Sequence, residues 1–292
     1  MKNYNLSWGR HSLSLGEHTR IMGILNVTPD SFSDGGKFFS CQDAVAQGQK
    51  LVKDGADILD IGGESTRPFS EEVSAEEEIQ RVVPVIERLA EKIAIPISID
   101  TTKASVARRA IEAGASMIND VAALRLDHEM VDVAAEYGVP VTLMHMLGKP
   151  KTMQISPTYD DLIGEIKVFL EKAINRLEKK GILRSRIIID PGIGFGKTVE
   201  HNLLLIKHLH EFKSLGTPIL IGPSRKAFIR HILKNKSVKD IRPDLQEVEI
   251  GTQAAVAAAI LNGAHIVRVH NVVNTRVTVQ ITDQLKNVQN SL

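Results

Sequence analysis

The feature that most constrains this chain is a repeated unit: an apolar run, a polar residue at its end, a Gly/Pro-bearing loop and an amphipathic helix. Residues 186–197, RIIIDPGIGFGK, show it in its most compact form. Ile187, Ile188 and Ile189, bounded by Pro191, read as a strand buried on both faces, the kind that parallel sheets covered by helices require. Asp190 closes that run. A carboxylate there is too costly to bury unpaired, so it faces a pocket or a partner. The glycines at 192, 194 and 196 allow a tight turn and a close approach of backbone to a ligand.

The same unit recurs along the chain. Apolar runs fall at 21–25, 58–61, 96–99, 117–118, 139–144, 187–189, 218–221 and 266–269. Helical patterns follow at about 42–54, from Ser74, at 103–113, 127–137, 160–180 and 202–212, through Leu233, at 247–261 and about 275–286. Ser74 with Glu77 three residues on is a capping box, and Pro84 is expected to kink the helix that it opens or to mark a local irregularity in it. Eight β-then-α units with right-handed crossovers close naturally into a (β/α)8 barrel; an open doubly wound sheet is the alternative. Asn3–Ser7 and His11–Leu15 alternate around Trp8 and Gly9 as a hairpin that closes the barrel bottom. We therefore expect one α/β domain over 1–292, with the hairpin in 1–20 and a single barrel in 21–288.

Composition narrows the function. At 43% hydrophobic and 24% charged residues the chain can bury a large core. A formal net charge of +1 gives no case for nucleic acid or a membrane surface as partner, and 4% aromatic residues argue against a base-stacking platform. Cys41 is the single cysteine, and Met1–Leu15 shows no secretory pattern, so a cytoplasmic location is expected.

In such barrels chemistry gathers at the C-terminal ends of the strands. The residues there are Asn26, Asp100, Asn119, Asp120, His145, Asp190, Arg268 and His270, with Lys226 just after the seventh run. Asp60 precedes Ile61 inside its run and reads as structural. Pro191–Thr198, PGIGFGKT, lacks the first glycine of a phosphate-binding loop, so that reading is set aside. The histidines are too scattered for a zinc site. Asp100, Asn119 and Asp190 supply acceptors and an amide, and Lys226 a cation, a set suited to the N–H donors and carbonyl of an aminopyrimidinone. Arg268, His270, Asn26 and helix-start N–H groups suit an anion. A heterocycle at one end and a phosphate at the other is the simplest joint reading.

MGILNVTPDSFSDGG at 22–36, DIGGESTRP at 60–68, SIDTTK at 98–103, IND at 118–120, MHMLGKPKTMQ at 144–154, DPGIGFGK at 190–197, SRK at 224–226 and RVH at 268–270 resemble the dihydropteroate synthase family, in family order and over nearly the whole chain. The resemblance implies a TIM barrel that condenses 6-hydroxymethyl-7,8-dihydropterin diphosphate with 4-aminobenzoate into dihydropteroate and diphosphate. It implies that Asp100, Asn119, Asp190 and Lys226 hold the pterin, with Met144 on its ring. Asn26, Arg268 and His270 take the diphosphate, Asn26 beside a Mg²⁺ cofactor. Loops 27–38 and 64–70 close over the site; Phe32, Thr66, Pro68 and Phe195 shape the aminobenzoate slot, and Asp34 and Arg67 belong to the closed loops. A homodimer is implied too, with helix 247–261 the candidate interface. Ala227 departs from the family, where many members carry a Ser that helps to hold the aminobenzoate carboxylate.

Overall fold

A computed structural model gives the fold and describes residues 2–28, 41–65, 72–148, 153–235 and 238–288. Two short strands, β1 (Tyr4–Trp8) and β2 (His11–Leu15), pair antiparallel around Gly9. The strands β3 (Arg20–Asn26), β4 (Ile58–Gly62), β5 (Ile97–Asp100), β6 (Met117–Asp120), β7 (Val141–Met144), β8 (Ile187–Asp190), β9 (Leu220–Ile221) and β10 (Ile266–Val269) form one parallel sheet. Its spatial order is β8-β7-β6-β5-β4-β3-β10-β9, and a bridge from Ile189 to Ile219 joins its two ends. The sheet is therefore a closed cylinder, and closure removes the exposed edges that an open sheet would carry.

The helices α1 (Cys41–Asp54), α2 (Ala75–Ala90), α3 (Ala104–Glu112), α4 (Met130–Tyr137), α5 (Leu162–Lys179), α6 (Val199–Lys207), α7 (Ala227–Leu233), α8 (Gln246–Leu261) and α9 (Val272–Asn287) lie outside the barrel. They pack on the outward strand residues, among them Leu59, Ile61, Ile99, Ile118, Leu143, Ile187, Ile189 and Val267, in one continuous core. The alternate residues Met22, Ile58, Met117, Ile188, Leu220 and Ile266 form a second cluster with Tyr4, Leu6, Trp8, Leu13 and Leu15. The hairpin thus plugs the bottom of the cylinder, as its alternating pattern predicts. Leu6 is completely buried there, and such a side chain contributes about 2 kcal/mol by burial alone.

Several boundaries differ from the sequence reading. Helix α2 is continuous from Ala75 to Ala90 with Pro84 inside it, and Ser74 caps it by accepting the Glu77 N–H. Helix α9 starts at Val272, three residues early, because the Asn271 side chain accepts the Asn274 N–H and nucleates the turn. The seventh barrel strand is only two residues long, and α6 passes into a 3-10 segment, Leu209–Leu215, instead of running on to Phe212. Lys103 offers no side-chain cap to α3; Asp127, from the following unit, accepts the Ala104 N–H instead. Among the described residues, no helix is long and apolar enough to cross a membrane.

Candidate active site

Strand parity builds the site. Side chains two residues apart share a face, so Asp60, Asn119, Asp190 and Arg268 follow Ile58, Met117, Ile188 and Ile266 onto the inner wall. Asp100 stands in register with Gly62 on one side and Asn119 on the other, at the same height. Met144 is in register with Asp190. The plugged bottom leaves this C-terminal mouth as the open end of the cylinder.

A guanidinium ties one half of the ring together. Arg268 Nε donates to Asp60 Oδ2 at 2.6 Å, and its terminal nitrogen donates to Asp100 Oδ2 at 2.7 Å. Asn119 Nδ2 donates to the same Asp60 oxygen at 3.0 Å. Asp60 is fully buried and its other oxygen, Oδ1, has no partner. The structural reading of Asp60 fits this geometry: it orients Arg268 and Asn119, two residues expected to touch substrate. Its place two residues after Ile58 was the signal for that.

Burial raises the Asp100 carboxyl to about 7; Arg268 opposes the rise, and Asp60, Glu78 and Asp120 add to it. Burial also works against the Arg268 charge, but Asp60 and Asp100 outweigh it and hold its pKa above the ordinary value.

The other half is built on the loop after β8. Asp190 Oδ1 accepts the Gly192 N–H at 2.7 Å, and burial raises its carboxyl to about 6 against the pull of that N–H, Lys226, Lys197 and Arg268. Gly192 has φ +75°, and a Cβ there would fall on the carbonyl oxygen of His145, so no other residue fits this turn without moving strand β7. Phe195 presents its ring to Lys226, whose Nζ lies 3.9 Å from the ring centroid. Phe195 belongs to an apolar cluster with Met144, Met146, Met153, Val121 and Ala122 that lines this side of the mouth.

At the end of β10 the Ser224 hydroxyl and His270 Nδ1 are 2.9 Å apart, and the His270 N–H donates to Ser224 Oγ at 3.3 Å. Sequence reasoning missed Ser224 as the group that fixes this histidine. Asn26 ends β3, partly exposed at the mouth.

Two expected ring members point elsewhere. Asp120 accepts the N–H groups of Ala122 and Leu124 within its own loop, which holds Ala123 and Leu124 at positive φ. His145 is buried against Phe169, with ring centroids 4.7 Å apart, and meets Lys197 instead of the mouth. Phe32, Asp34, Thr66, Arg67 and Pro68 lie outside the described residues. At the edge of that segment, Glu64 accepts the Val73 N–H and pairs with Lys103, which also pairs with the buried Glu78.

Inward carboxylates at one side of a barrel mouth, with cations facing them, suit a flat N–H-rich heterocycle joined to an anion. Residues 22–270 match the family model for pterin binding enzymes, and fold and site together define that class. A dihydropteroate synthase from Synechocystis is 48% identical over 90% of this chain and 89% of its own length. The chain belongs to the dihydropteroate synthase family. Among solved structures, Xanthomonas albilineans dihydropteroate synthase with 4-aminobenzoic acid superposes with a TM-score of 0.89, at 44% identity, over 99% of this chain and 100% of that one. The same organism's enzyme in complex with 7,8-dihydropteroate superposes with a TM-score of 0.83, at 42% identity, over 94% and 97% of the two chains.

Proposed function

We propose that this site condenses 6-hydroxymethyl-7,8-dihydropterin diphosphate with 4-aminobenzoate. The observation that carries the reading is the convergence of Asp100, Asn119, Asp190, Lys226 and Arg268 on one mouth of the barrel. In this reading the pterin lies edge-on to the carboxylates. Asp190 and Asp100 accept its ring N–H groups, Asn119 adds amide contacts, and Met144 packs on its face. Lys226 and the Phe195 ring border it on the side where the second substrate enters, with Phe32, Thr66 and Pro68 completing that slot.

The chemistry follows from the charges. The C–O bond of the substrate breaks and its electron pair leaves with the diphosphate, which Arg268 and His270 receive. The electron-rich dihydropterin shares the positive charge left on its exocyclic methylene, and the neighbouring carboxylates favour that charge over the neutral ground state. The aminobenzoate nitrogen then forms the new C–N bond and gives up a proton to water. The cluster of Met144, Met146, Met153 and Phe195 keeps water from taking that carbon first, a task that Asp34 and Arg67 share in the reading. The helix-start N–H at Ala227 remains to meet the aminobenzoate carboxylate without the hydroxyl that many relatives have.

A Mg²⁺ fits this arrangement as a guest of the substrate. Among the described residues no three His, Cys, Asp or Glu side chains converge as a metal cage. The side-chain oxygen of Asn26 at the mouth is the kind of single protein ligand with which Mg²⁺ joins a diphosphate and water. When bound, it neutralises charge on the leaving group.

A homodimer belongs to the same reading. Val273, Val277, Ile281 and Leu285 repeat every fourth residue along α9, all exposed, beside exposed Ile250 and Leu261 on α8. Such a continuous apolar stripe is costly in water and suits a second copy of the chain. Sedimentation should give a dimer that Ile281→Glu splits; a monomeric parent protein contradicts it. A cytoplasmic location completes the reading, supported by the lone, partly buried Cys41.

The test of activity is diphosphate release from dihydropterin diphosphate with and without 4-aminobenzoate. Aminobenzoate-dependent release is expected. Its absence would instead favour a pterin-binding methyltransferase or a binding protein that does no chemistry.

A further inference from the structure

Lys197 is almost wholly buried, yet neither of its two hydrogen-bond partners carries a negative charge. Its Nζ donates to the Phe195 carbonyl at 2.9 Å and meets His145 Nδ1 at 2.9 Å. While Lys197 is an ammonium it has only donors, so Nδ1 then accepts and the ring proton of His145 sits on Nε2. Burial, with the Lys197 and Arg125 charges nearby, holds His145 far below its usual pKa and so keeps it the neutral acceptor this contact needs.

A buried cation without a carboxylate partner is expensive, and chains that keep one generally use it. The groups around Lys197 show what it joins. His145 extends strand β7, its N–H donating to the Asp190 carbonyl at 2.9 Å, next to Met144. Phe195 sits at the tip of the loop after β8, with its ring under the Lys226 ammonium. The remaining atoms of that loop are pinned from outside: Asn202 Oδ1 accepts the Gly194 N–H, Gln154 donates to the Gly194 carbonyl, and the Tyr159 hydroxyl donates to the Gly196 carbonyl. Phe195 itself is held at both backbone ends: its N–H donates to the Gly192 carbonyl at 3.1 Å within the loop, and its carbonyl accepts from Lys197, the one side chain that reaches it in these bonds.

We propose that Lys197 is a positioning residue for the second substrate: its buried bridge from His145 to the Phe195 carbonyl holds the Phe195 ring against Lys226 and so sets the wall of the aminobenzoate slot. This rests on the role given to Phe195 above. The charges that act on Lys197 fit a poised group. Burial draws its pKa down to about 7, Asp190 resists, and Lys226 adds to the fall. Even as a neutral amine, Lys197 keeps a donor for the Phe195 carbonyl, so the bridge survives that change.

The test uses the full-length protein with Lys197→Met and Lys197→Gln. Methionine fills the space and removes both hydrogen bonds; glutamine keeps a donor for the carbonyl. For K197M, the KM for 4-aminobenzoate should rise about tenfold, the scale of one buried carbonyl left unpaired, while that for the dihydropterin diphosphate changes less than about threefold. K197Q should recover part of the loss, and it carries the test if K197M does not fold. Equal changes in both KM values, or none in either, overturn the proposal. A readout independent of turnover separates this from failure of the proposed reaction. In ¹³C spectra of labelled lysines, the Lys226 signal should carry the ring-current shift of Phe195 and lose it in K197M; a shift that persists in the variant also overturns the proposal.

Discussion

Asp60 and Arg268 stand 208 positions apart in the chain, and Arg268 Nε donates to Asp60 Oδ2 over 2.6 Å. The bond crosses from β4 to β10 beneath the mouth. It fixes the guanidinium from behind, so that its far nitrogen can meet Asp100 and, in turn, a leaving anion. Replacing Asp60 with Asn keeps the shape but leaves a buried cation short of its counter-charge. We expect a loss of about 3 kcal/mol in urea denaturation and a fall in kcat/KM of more than about tenfold. An Asp60→Asn protein with parental stability would show that Arg268 does not need the pair.

The buried Glu78 gives a parallel case away from the substrate. Its carboxylate has no exposure and takes the Lys103 ammonium at 2.7 Å, while Lys103 also holds Glu64 at 2.6 Å. Lys103→Met should cost about 3–5 kcal/mol, because one partner of a buried pair is left charged and alone. Adding Glu78→Gln should restore part of it, as measured by the same denaturation. A double variant no more stable than K103M would mean that the loss comes from packing.

Pterin binding should release protons. Burial places Asp190 at about 6 and Asp100 at about 7, both above the ordinary carboxylate value. Ring N–H donors favour the ionised forms, so a bound pterin lowers both pKa values. Between about pH 5 and 7 the affinity should rise with pH, by up to about tenfold per unit for each group. Calorimetry of a pterin alcohol near pH 6.5, in buffers of different ionisation heat, should show net proton release; uptake would contradict it.

The same burial makes Asp190 a liability in the empty protein. Its folded pKa, about 6, lies above the unfolded value of 3.8, so the stability linked to its protonated form is complete below about 3.8 and lost as pH rises past 6. An asparagine escapes that loss and can still accept the Gly192 N–H. At pH 8, Asp190→Asn should stabilise the unliganded protein by roughly 2–3 kcal/mol, seen as a melting point several degrees higher. No gain at pH 8, or a gain that grows toward pH 4, would reverse the sign of this account.

Much of this was legible in the chain. The repeating unit carried the barrel, and the residues that close the apolar runs marked Asp100, Asn119 and Asp190, with Arg268 carried inside the last run, because strand ends in a closed barrel share one mouth. Parity was the signal left unused: it places Asp60 inside the cylinder, two residues after Ile58. Asp120 and His145 share a strand end with the site and still turn away, one to cap its own loop and the other to meet Lys197. Sequence spacing fixes where a residue stands along a strand but not which neighbour its side chain will choose. The Lys197–His145 and Ser224–His270 contacts join segments 52 and 46 residues apart, and no local pattern announces them.

The central claim is that Asp190 grips the pterin through its ionised carboxylate. The direct measurement is an equilibrium titration of a 6-hydroxymethylpterin against the parent protein and Asp190→Asn at pH 8. The account predicts binding weakened about a hundredfold or more, since a charge-assisted pair of acceptors is exchanged for one neutral oxygen. Affinities within about threefold of each other, in a variant that remains folded, would contradict it.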